Sequence, residues 1–450
     1  MRPDLAACYG QERLPRYTSY PTAPHFSSRI GADRYAEWLK QVPRNAIASL
    51  YLHVPFCRSM CWYCGCHTAI ARREEPVAVY ASALRCEIDM VADRIGRRIQ
   101  VGHIHFGGGT PTIMTPEQFI DLVGALRHSF FVLPNAEIAI EIDPRTLTAA
   151  MVTALAYGGV NRASLGVQSF DPVVQRAINR VQSFEETAAA TRALRDAGIA
   201  GINFDLIYGL PHQTVASCLE TVRTCVALRP ARFSVFGYAH VPGFKKHQRK
   251  IDAADLPDSE ERHRQSVATA AALTAAGYVQ IGLDHFALPE DPMAVASRDG
   301  ALRRNFQGYT TDAGRVLLGF GASAIGHLPQ GYVQNEVDTR GYLQRISDGG
   351  LAVAKGVALS QDDRLRADII ERIMCDFAVD LGQVCARHGQ TPGAILGSAP
   401  RLRDLISDGV VALDGVSLRV PEAARFLVRS VAAAFDAYLD QSAQLHSRAV

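Results

Sequence analysis

At 450 residues, with 48% apolar and 20% charged positions, the chain has room for one large catalytic domain and one or two appendages, and enough apolar content to bury a core rather than stay disordered. Lys and Arg number 47 against 45 Asp and Glu; a net charge of +2 excludes bulk attraction to nucleic acid or an anionic membrane and leaves only local patches. Ten cysteines are too dilute for a disulfide scaffold, and the crowding of Cys57, Cys61, Cys64 and Cys66 points to a metal site in a reducing cytoplasm.

The opening Met1-Arg2-Pro3-Asp4 lacks the apolar run of a secretory leader, so the mature chain is expected to start there. Residues 1–40 predict an arm, because the Pro-, Tyr- and Ser-rich stretch 14–26 has too few periodic apolar positions to fold alone. Such a stretch can be a linker. Leaving Arg16, Tyr17, Tyr20 and Phe26 of one short stretch unpacked would be costly, which argues against a mere linker.

From residue 49 onward, short Val-, Ile-, Phe- and Tyr-rich runs alternate with amphipathic stretches. The pattern predicts strands over 49–54, 101–106, 137–142, 162–167, 202–207 and 232–238. Between them it predicts helices over 77–95, 116–128, 149–157, 184–197 and 215–228. This is an α/β class with a parallel sheet, a partial (β/α)6 TIM-like barrel within a catalytic region 41–355. Thr115-Pro116-Glu117 and Asp171-Pro172 read as helix starts, with Thr or Asp as N-cap and Pro in the first turn. A helix over 259–277 and a strand over 278–286 extend the unit, and the uncharged stretch 265–283, broken by Gly277, is too polar to span a membrane. Glycines in 318–326 predict a loop or strand where backbone approaches something closely. Residues 356–450 read as a separate, mostly helical domain with short strands in 409–420 and a long helix from 421 to about 444.

The segment Tyr51-Leu52-His53-Val54-Pro55-Phe56-Cys57-Arg58-Ser59-Met60-Cys61-Trp62-Tyr63-Cys64-Gly65-Cys66 places three thiols at Cys-x3-Cys-x2-Cys just beyond a strand end. Thiolates suit an iron-sulfur cluster or zinc, and three ligands leave one metal position open. A closed zinc site normally draws on a second Cys-x2-Cys, which this chain lacks. Cys86, Cys218, Cys225, Cys375 and Cys385 are expected to be small core hydrophobes.

The other strands also end in polar or glycine positions: Phe106-Gly107-Gly108-Gly109-Thr110, Glu141-Ile142-Asp143, Gly166-Val167-Gln168, Asp205 to Pro211, and Tyr238-Ala239-His240. The C-terminal face of a βα barrel is where an active site is expected. The glycine run is a tight turn or a place where backbone approaches a ligand without Cβ interference. The basic tract Lys245-Lys246-His247-Gln248-Arg249-Lys250 lacks interleaved aromatics beyond Phe244; it is expected to be a solvated loop, or to steer an anionic substrate, and not to bind nucleic acid.

The cysteine spacing, with Tyr63 before the third thiol, resembles that of the radical S-adenosylmethionine (SAM) superfamily. Within it, Pro15-Arg16-Tyr17-Thr18-Ser19-Tyr20-Pro21-Thr22-Ala23 and Cys64-Gly65-Cys66 resemble the oxygen-independent coproporphyrinogen III oxidases. The match continues through residues 107–112, 141–145, 164–170, 179–180, 205–211 and 284–287, and through Asn305-Phe306-Gln307-Gly308-Tyr309-Thr310-Thr311; it is weaker after 356. Leu288 departs from it, standing where the family carries a basic residue. The family resemblance also implies that the arm lies over the active site as a lid.

The resemblance implies an oxidoreductase with a 4Fe-4S cluster held by Cys57, Cys61 and Cys64, Cys66 being no ligand, and two molecules of SAM. Tyr51, Gly108 and Glu141 would touch the first. Tyr63, Gly109, Thr110, Gln168, Arg180, Asp205, Ala239 and Ile325 would line the second. Phe306 and Gln307 would lie on the substrate side and, with Glu141, take part in the chemistry. The implied reaction is oxidative decarboxylation of two propionates of coproporphyrinogen III to vinyls, giving protoporphyrinogen IX in haem biosynthesis through a 5′-deoxyadenosyl radical. A low-potential donor such as flavodoxin or ferredoxin and a monomeric cytoplasmic enzyme complete the expectation. The other reading is a haem chaperone of the same superfamily, whose members generally lack the arm and the Gly65-Cys66 pair.

Overall fold

The computed structural model describes residues 12–439 together with Leu5, Tyr9 and Gly10. The chain forms two compact units that do not follow the linear division into 1–40, 41–355 and 356–450. One comprises residues 26–257 and 314–358; the other comprises residues 1–25, 258–313 and 359–450.

The first unit carries six parallel strands in chain order: β1 (Ile47–Val54), β2 (Gln100–Gly108), β3 (Phe131–Ile142), β4 (Arg162–Gln168), β5 (Gly201–Tyr208) and β6 (Arg232–Gly237). Helices α1 (Glu75–Ile95), α2 (Pro116–Ser129), α3 (Ala149–Tyr157), α4 (Phe184–Asp196) and α5 (Val215–Val226) connect them, so every βα unit expected from the periodicity is present. The starts are local: Thr115 and Gln118 close a capping box on α2, Ser183 and Glu186 another on α4, and Asp171 caps the short helix Pro172–Ala177.

A seventh parallel strand, β7 (Val316–Phe320), flanks β1 on its other side, followed by an antiparallel meander β8 (Ile325–Leu328), β9 (Gly331–Asn335) and β10 (Val353–Ala358). The glycines of 318–326 sit at this junction. A Cβ on Gly319 would lie 2.7 Å from the Ile325 carbonyl oxygen, so the two backbones meet as the glycine content predicted.

Alternation divides the parallel sheet into two chemistries. Leu50, Leu52, Phe106, Ile140, Leu165, Phe204 and Phe233 are fully buried. The interleaved positions are polar: His103, His105, Glu137, Glu141, Arg162, Ser164, Asn203, Asp205, Arg232 and Ser234. Within the unit, α1 adds a buried carboxylate. Glu87 accepts from the Gly321 amide (2.6 Å), the Asn335 side chain (2.7 Å) and the Tyr342 hydroxyl (2.9 Å). Tyr80, two turns earlier, donates to the His53 carbonyl (2.8 Å) and accepts from the Ala322 amide (2.7 Å).

The second unit is built on the helix Gln361–Asp376, whose Leu365, Ile369, Ile370, Ile373 and Met374 are buried. Helices Leu381–Arg387, Pro392–Gly397 and Arg401–Ser407 and a small antiparallel sheet of Ala378–Asp380, Ser417–Arg419 and Ala412–Asp414 complete the mostly helical region. The single strand expected over 278–286 is a hairpin, Val279–Ile281 with His285–Ala287, because Gly282 turns the chain at φ +54.

The arm corrects an expectation, since Leu5, Leu14, Tyr17 and Tyr20 are buried in this unit's core. Glu12 bonds Arg401 (2.7 Å) and Ser430 (3.0 Å), and the Tyr17 hydroxyl bonds Asp436 (3.0 Å). Irregular apolar spacing concealed a segment whose partners lie some four hundred residues away. The long C-terminal helix is likewise interrupted. A 3-10 stretch Glu422–Leu427 leads into Val428–Ala433, after which the Ala437 amide bonds the Tyr20 hydroxyl (2.9 Å) in place of a helical carbonyl; residues 440–444 lie outside the described residues. Of the isolated cysteines, Cys218, Cys225, Cys375 and Cys385 are buried as expected, whereas Cys86 is exposed on α1.

This packing makes three outcomes testable. Burial raises the Glu87 carboxyl from 4.5 to about 7, so its contribution to stability is complete below about 4.5 and lost as pH rises toward 7. Glu87→Gln should flatten that decline in melting temperature. Glu87→Ala, leaving three buried donors unmatched, should cost on the order of 3 kcal/mol in denaturant titrations. Deleting residues 1–25 should lower the melting temperature and solubility, because four core side chains leave with the arm; unchanged thermal unfolding would contradict the packing described.

Candidate active site

The cysteines lie on the loop that leaves β1 at Val54. That loop has little regular structure, and its thiols are held from outside. The hydroxyls of Thr68 and Thr110 each donate to Cys57 Sγ (3.4 Å). Arg180 Nη1 lies 3.6 Å and Arg145 Nη2 4.0 Å from Cys61 Sγ. Burial raises the Cys57 thiol against the lowering effect of its two hydroxyl partners. The Cys66 thiol, hydrogen-bonded to Cys64, lowers Cys64 to about 6, and His247 and Lys245 act in the same direction. Cys66 itself is exposed.

The backbone of the loop is tied as well. Asn179 donates to the Met60 carbonyl (2.8 Å), and the Trp62 amide donates to Ile178 (2.9 Å). Gln248, fully buried, donates to the Tyr63 carbonyl (3.0 Å) and the Ala239 carbonyl (3.2 Å). His247 Nε2 meets the Cys64 carbonyl at 2.7 Å, and Lys245 Nζ meets that of Cys66 at 2.9 Å. The basic tract expected to be solvated is thus in part a clamp on the cysteine loop.

Neighbouring strand ends add the next groups. The Gly108 amide donates to Glu141 Oε2 (3.2 Å), and His105 Nε2 meets Glu141 Oε1 (3.2 Å). Tyr51 stacks on His105, with ring centres 5.9 Å apart, and its hydroxyl bonds His53 Nδ1 (3.0 Å). The glycines are sterically required. A Cβ on Gly107 would lie 2.7 Å from Glu141 and 3.1 Å from Tyr51, one on Gly108 (φ +113) 2.7 Å from His53, and one on Gly109 2.5 Å from the Phe56 carbonyl.

On the far side of Cys61, Asp143 takes hydrogen bonds from Arg145 Nη2 (2.6 Å) and Nε (2.9 Å) and lies 3.4 Å from Arg180. Burial opposes ionisation of Asp143, but the Arg145 hydrogen bonds and the Arg180 charge win and hold it below the usual carboxylate range. Arg180 also donates to the Gly166 carbonyl (2.6 Å). Gln168, at a register shift ending β4, has φ +68; its Oε1 and the Arg180 Nε are buried without a hydrogen-bond partner. On β5, Asp205 accepts from Ser164 (2.7 Å) and Asn203 (2.8 Å), and burial raises its carboxyl.

The expected site residues of this unit therefore fall into linked groups: Cys57 with Thr110, Cys61 with Arg180, Glu141 with Gly108, and Tyr63 with Ala239 through Gln248. Ile325 begins β8 against Gly319, the partner of Tyr51 in the ladder. Phe306 and Gln307 belong to the other compact unit, at the turn of the hairpin Arg303–Asn305 and Gly308–Thr310. Sequence reasoning placed Asp143 at a site strand end without giving it a role, and missed His105, Arg145, His247 and Gln248 as site groups. A polar residue in step with Glu141 on the inner face of its strand was the available signal for His105; nothing local marks Gln248.

The thiol set suits an iron-sulfur centre: three sulfurs on one short loop, with hydroxyl and guanidinium donors aimed at two of them. The glycine cradle and the orphaned Gln168 and Arg180 atoms suit a polar ligand beside it.

Comparison with known proteins agrees. The radical SAM superfamily profile matches residues 51–225, and that of the HemN C-terminal domain matches residues 359–427. An oxygen-independent coproporphyrinogen III oxidase of Bradyrhizobium diazoefficiens is 71% identical over 100% of both chains, and one of Paracoccus denitrificans is 44% identical over 97% of both. The structure of coproporphyrinogen III oxidase (HemN) from Escherichia coli, a radical SAM enzyme, superposes with a TM-score of 0.91 at 38% identity, covering 95% of this chain and all of that one. With near-complete coverage at such identity, the chain belongs to the oxygen-independent coproporphyrinogen III oxidases, within the radical SAM superfamily.

Proposed function

We propose that this protein oxidatively decarboxylates coproporphyrinogen III to protoporphyrinogen IX without oxygen, using a 4Fe-4S cluster and two molecules of SAM. The observation that carries the reading is the 71% identity over the whole chain, joined to a loop presenting Cys57, Cys61 and Cys64 at the parallel strand ends. When bound, the reduced cluster and SAM supply a 5′-deoxyadenosyl radical able to take a propionate β-hydrogen.

The protein's own groups have distinct tasks. Cys57, Cys61 and Cys64 are the cluster ligands, and the donors from Thr68, Thr110 and Arg180 spread charge off two of the sulfurs. Glu141, oriented by His105 and the Gly108 amide, presents a carboxylate to the first SAM beside Tyr51. Gly109 and Thr110, with Tyr63, Ala239 and Ile325, would border the second SAM. Gln168, Arg180 and Asp205 offer it an acceptor, a fixed cation and a second carboxylate. Phe306 and Gln307 are assigned to the porphyrinogen. The described residues contain no helix long and apolar enough to cross a membrane. The free thiols of the loop are in keeping with a reducing, cytoplasmic setting; a monomer served by a low-potential flavodoxin or ferredoxin completes the reading.

The deciding experiment is anaerobic incubation with SAM, dithionite and coproporphyrinogen III, followed by chromatography of the pigments; failure to form protoporphyrinogen IX at full cluster content would refute the reading. Cys66→Ser should retain the 4Fe-4S absorption of reconstituted protein, whereas Cys61→Ser should lose it, because a fourth thiolate would occupy the iron left for SAM. Glu141→Gln should keep the cluster and weaken SAM binding about ten-fold, measured by equilibrium titration, since a charge-assisted acceptor becomes neutral. Undiminished affinity would remove Glu141 from the SAM site.

A further inference from the structure

The 3-10 helix Lys246–Lys250 has two faces. Its inner face, with Lys245, holds the cysteine loop: His247 and Gln248 bond the carbonyls of Cys64 and Tyr63, and Lys245 that of Cys66. Its outer face is cationic and exposed: Lys246, Arg249 and Lys250 reach solvent beside Phe244, which is 68% exposed. Lys250 also lies 5.3 Å over the ring of Trp62, the residue between Cys61 and Tyr63 in the loop. Among the described residues, Lys246, Arg249 and Lys250 pair with no carboxylate. The nearest acids along the chain are engaged elsewhere, Asp252 capping the Ala254 amide (2.9 Å) and Asp255 lying 3.6 Å from His212.

Uncompensated cations around an exposed aromatic are the composition of a docking patch for an acidic protein. The helix that carries this patch reaches an assigned cluster ligand through one hydrogen bond, from His247 to the Cys64 carbonyl. We propose that it is the electron entry site, where an acidic one-electron carrier protein bearing a flavin or iron-sulfur group docks over the cysteine loop. The carrier would be oxidised by one electron and the 4Fe-4S cluster that Cys57, Cys61 and Cys64 would hold reduced by it; no covalent bond forms or breaks in the transfer. Electron-transfer encounters need only a small interface, so a patch of four exposed residues steered by charge suffices. The inference rests on the cluster and electron-donor reading above and adds to it the place of docking and the charge that recognises the partner.

The test compares wild type with Lys246→Glu/Arg249→Glu, both reconstituted and anaerobic, using a reduced acidic flavodoxin as carrier and dithionite as a small-molecule control. Reversal should weaken carrier binding about ten-fold in titration calorimetry at low ionic strength, abolish most of the salt dependence, and slow carrier oxidation. Cluster content and dithionite-driven 5′-deoxyadenosine formation should match wild type. Lys246→Gln/Arg249→Gln should fall between the two, which separates charge from any local disturbance. Carrier affinity and rate unchanged by reversal would overturn the docking site while the dithionite arm leaves the cluster reading standing. A raised KM for coproporphyrinogen III with dithionite, and normal carrier binding, would overturn it in favour of substrate steering. Wild type inert with dithionite would instead refute the cluster reading on which the inference rests.

Discussion

The constraint on which the site depends is that a loop with almost no regular structure must present three thiols in a fixed arrangement. Backbone polar groups in such a loop need partners as much as those in a helix do. Here the partners come from separate elements: Asn179 and Ile178 beyond the short helix after β4, and Lys245, His247 and Gln248 beyond β6. The cysteine loop leaves β1 but is therefore tied down from beyond β4 and β6, strands of the same sheet that do not adjoin β1. The arrangement of the thiols is a property of the whole sheet rather than of the motif.

Alternation along the strands explains how one sheet serves both stability and chemistry. Leu50, Phe106, Ile140, Leu165 and Phe204 are fully buried, which is the main stabilising term available to a parallel βα layer. Their strand neighbours Tyr51, His105, Glu141, Ser164 and Asp205 face the other way; hydrogen bonds between adjacent strands join His105 to Glu141 and Ser164 to Asp205, while the Tyr51 hydroxyl bonds His53 of its own strand. A one-residue slip in register would exchange the two sets, so the apolar face enforces the placement of the polar one.

Much of this was legible in the sequence where the determining interactions are local. The βα periodicity, the caps at Thr115 and Asp171, and the glycine crowding at 318–326 all depend on residues within a few positions of one another. The arm was legible only as composition, because Tyr17 and Tyr20 are made core residues by Asp436 and Ala437. The division into units was hidden for the same reason: residues 258–313 group with 359–450 through contacts that leave no periodic trace. At the site, the cysteine spacing and the glycine run announce themselves, whereas Gln248 earns its role from a fold that brings Tyr63 and Ala239 to either side of one amide.

Two carboxylates in the same unit show what burial alone does and does not decide. Glu87 receives three neutral donors, yet its desolvation outweighs them and favours the proton, which suits a group that ties α1 to Gly321, Asn335 and Tyr342. Asp143 is also largely withdrawn from water, but Arg145 and Arg180 keep it ionised. The difference is formal positive charge within hydrogen-bond reach, which neutral donors do not replace. Since Arg180 lies close to Asp143, Cys61 and the Gly166 carbonyl at once, the ionised carboxylate fixes a cation that also faces a thiol. Charge at Asp143 is in this way held by charge, while Glu87 on the helix needs only neutral hydrogen bonds and packing.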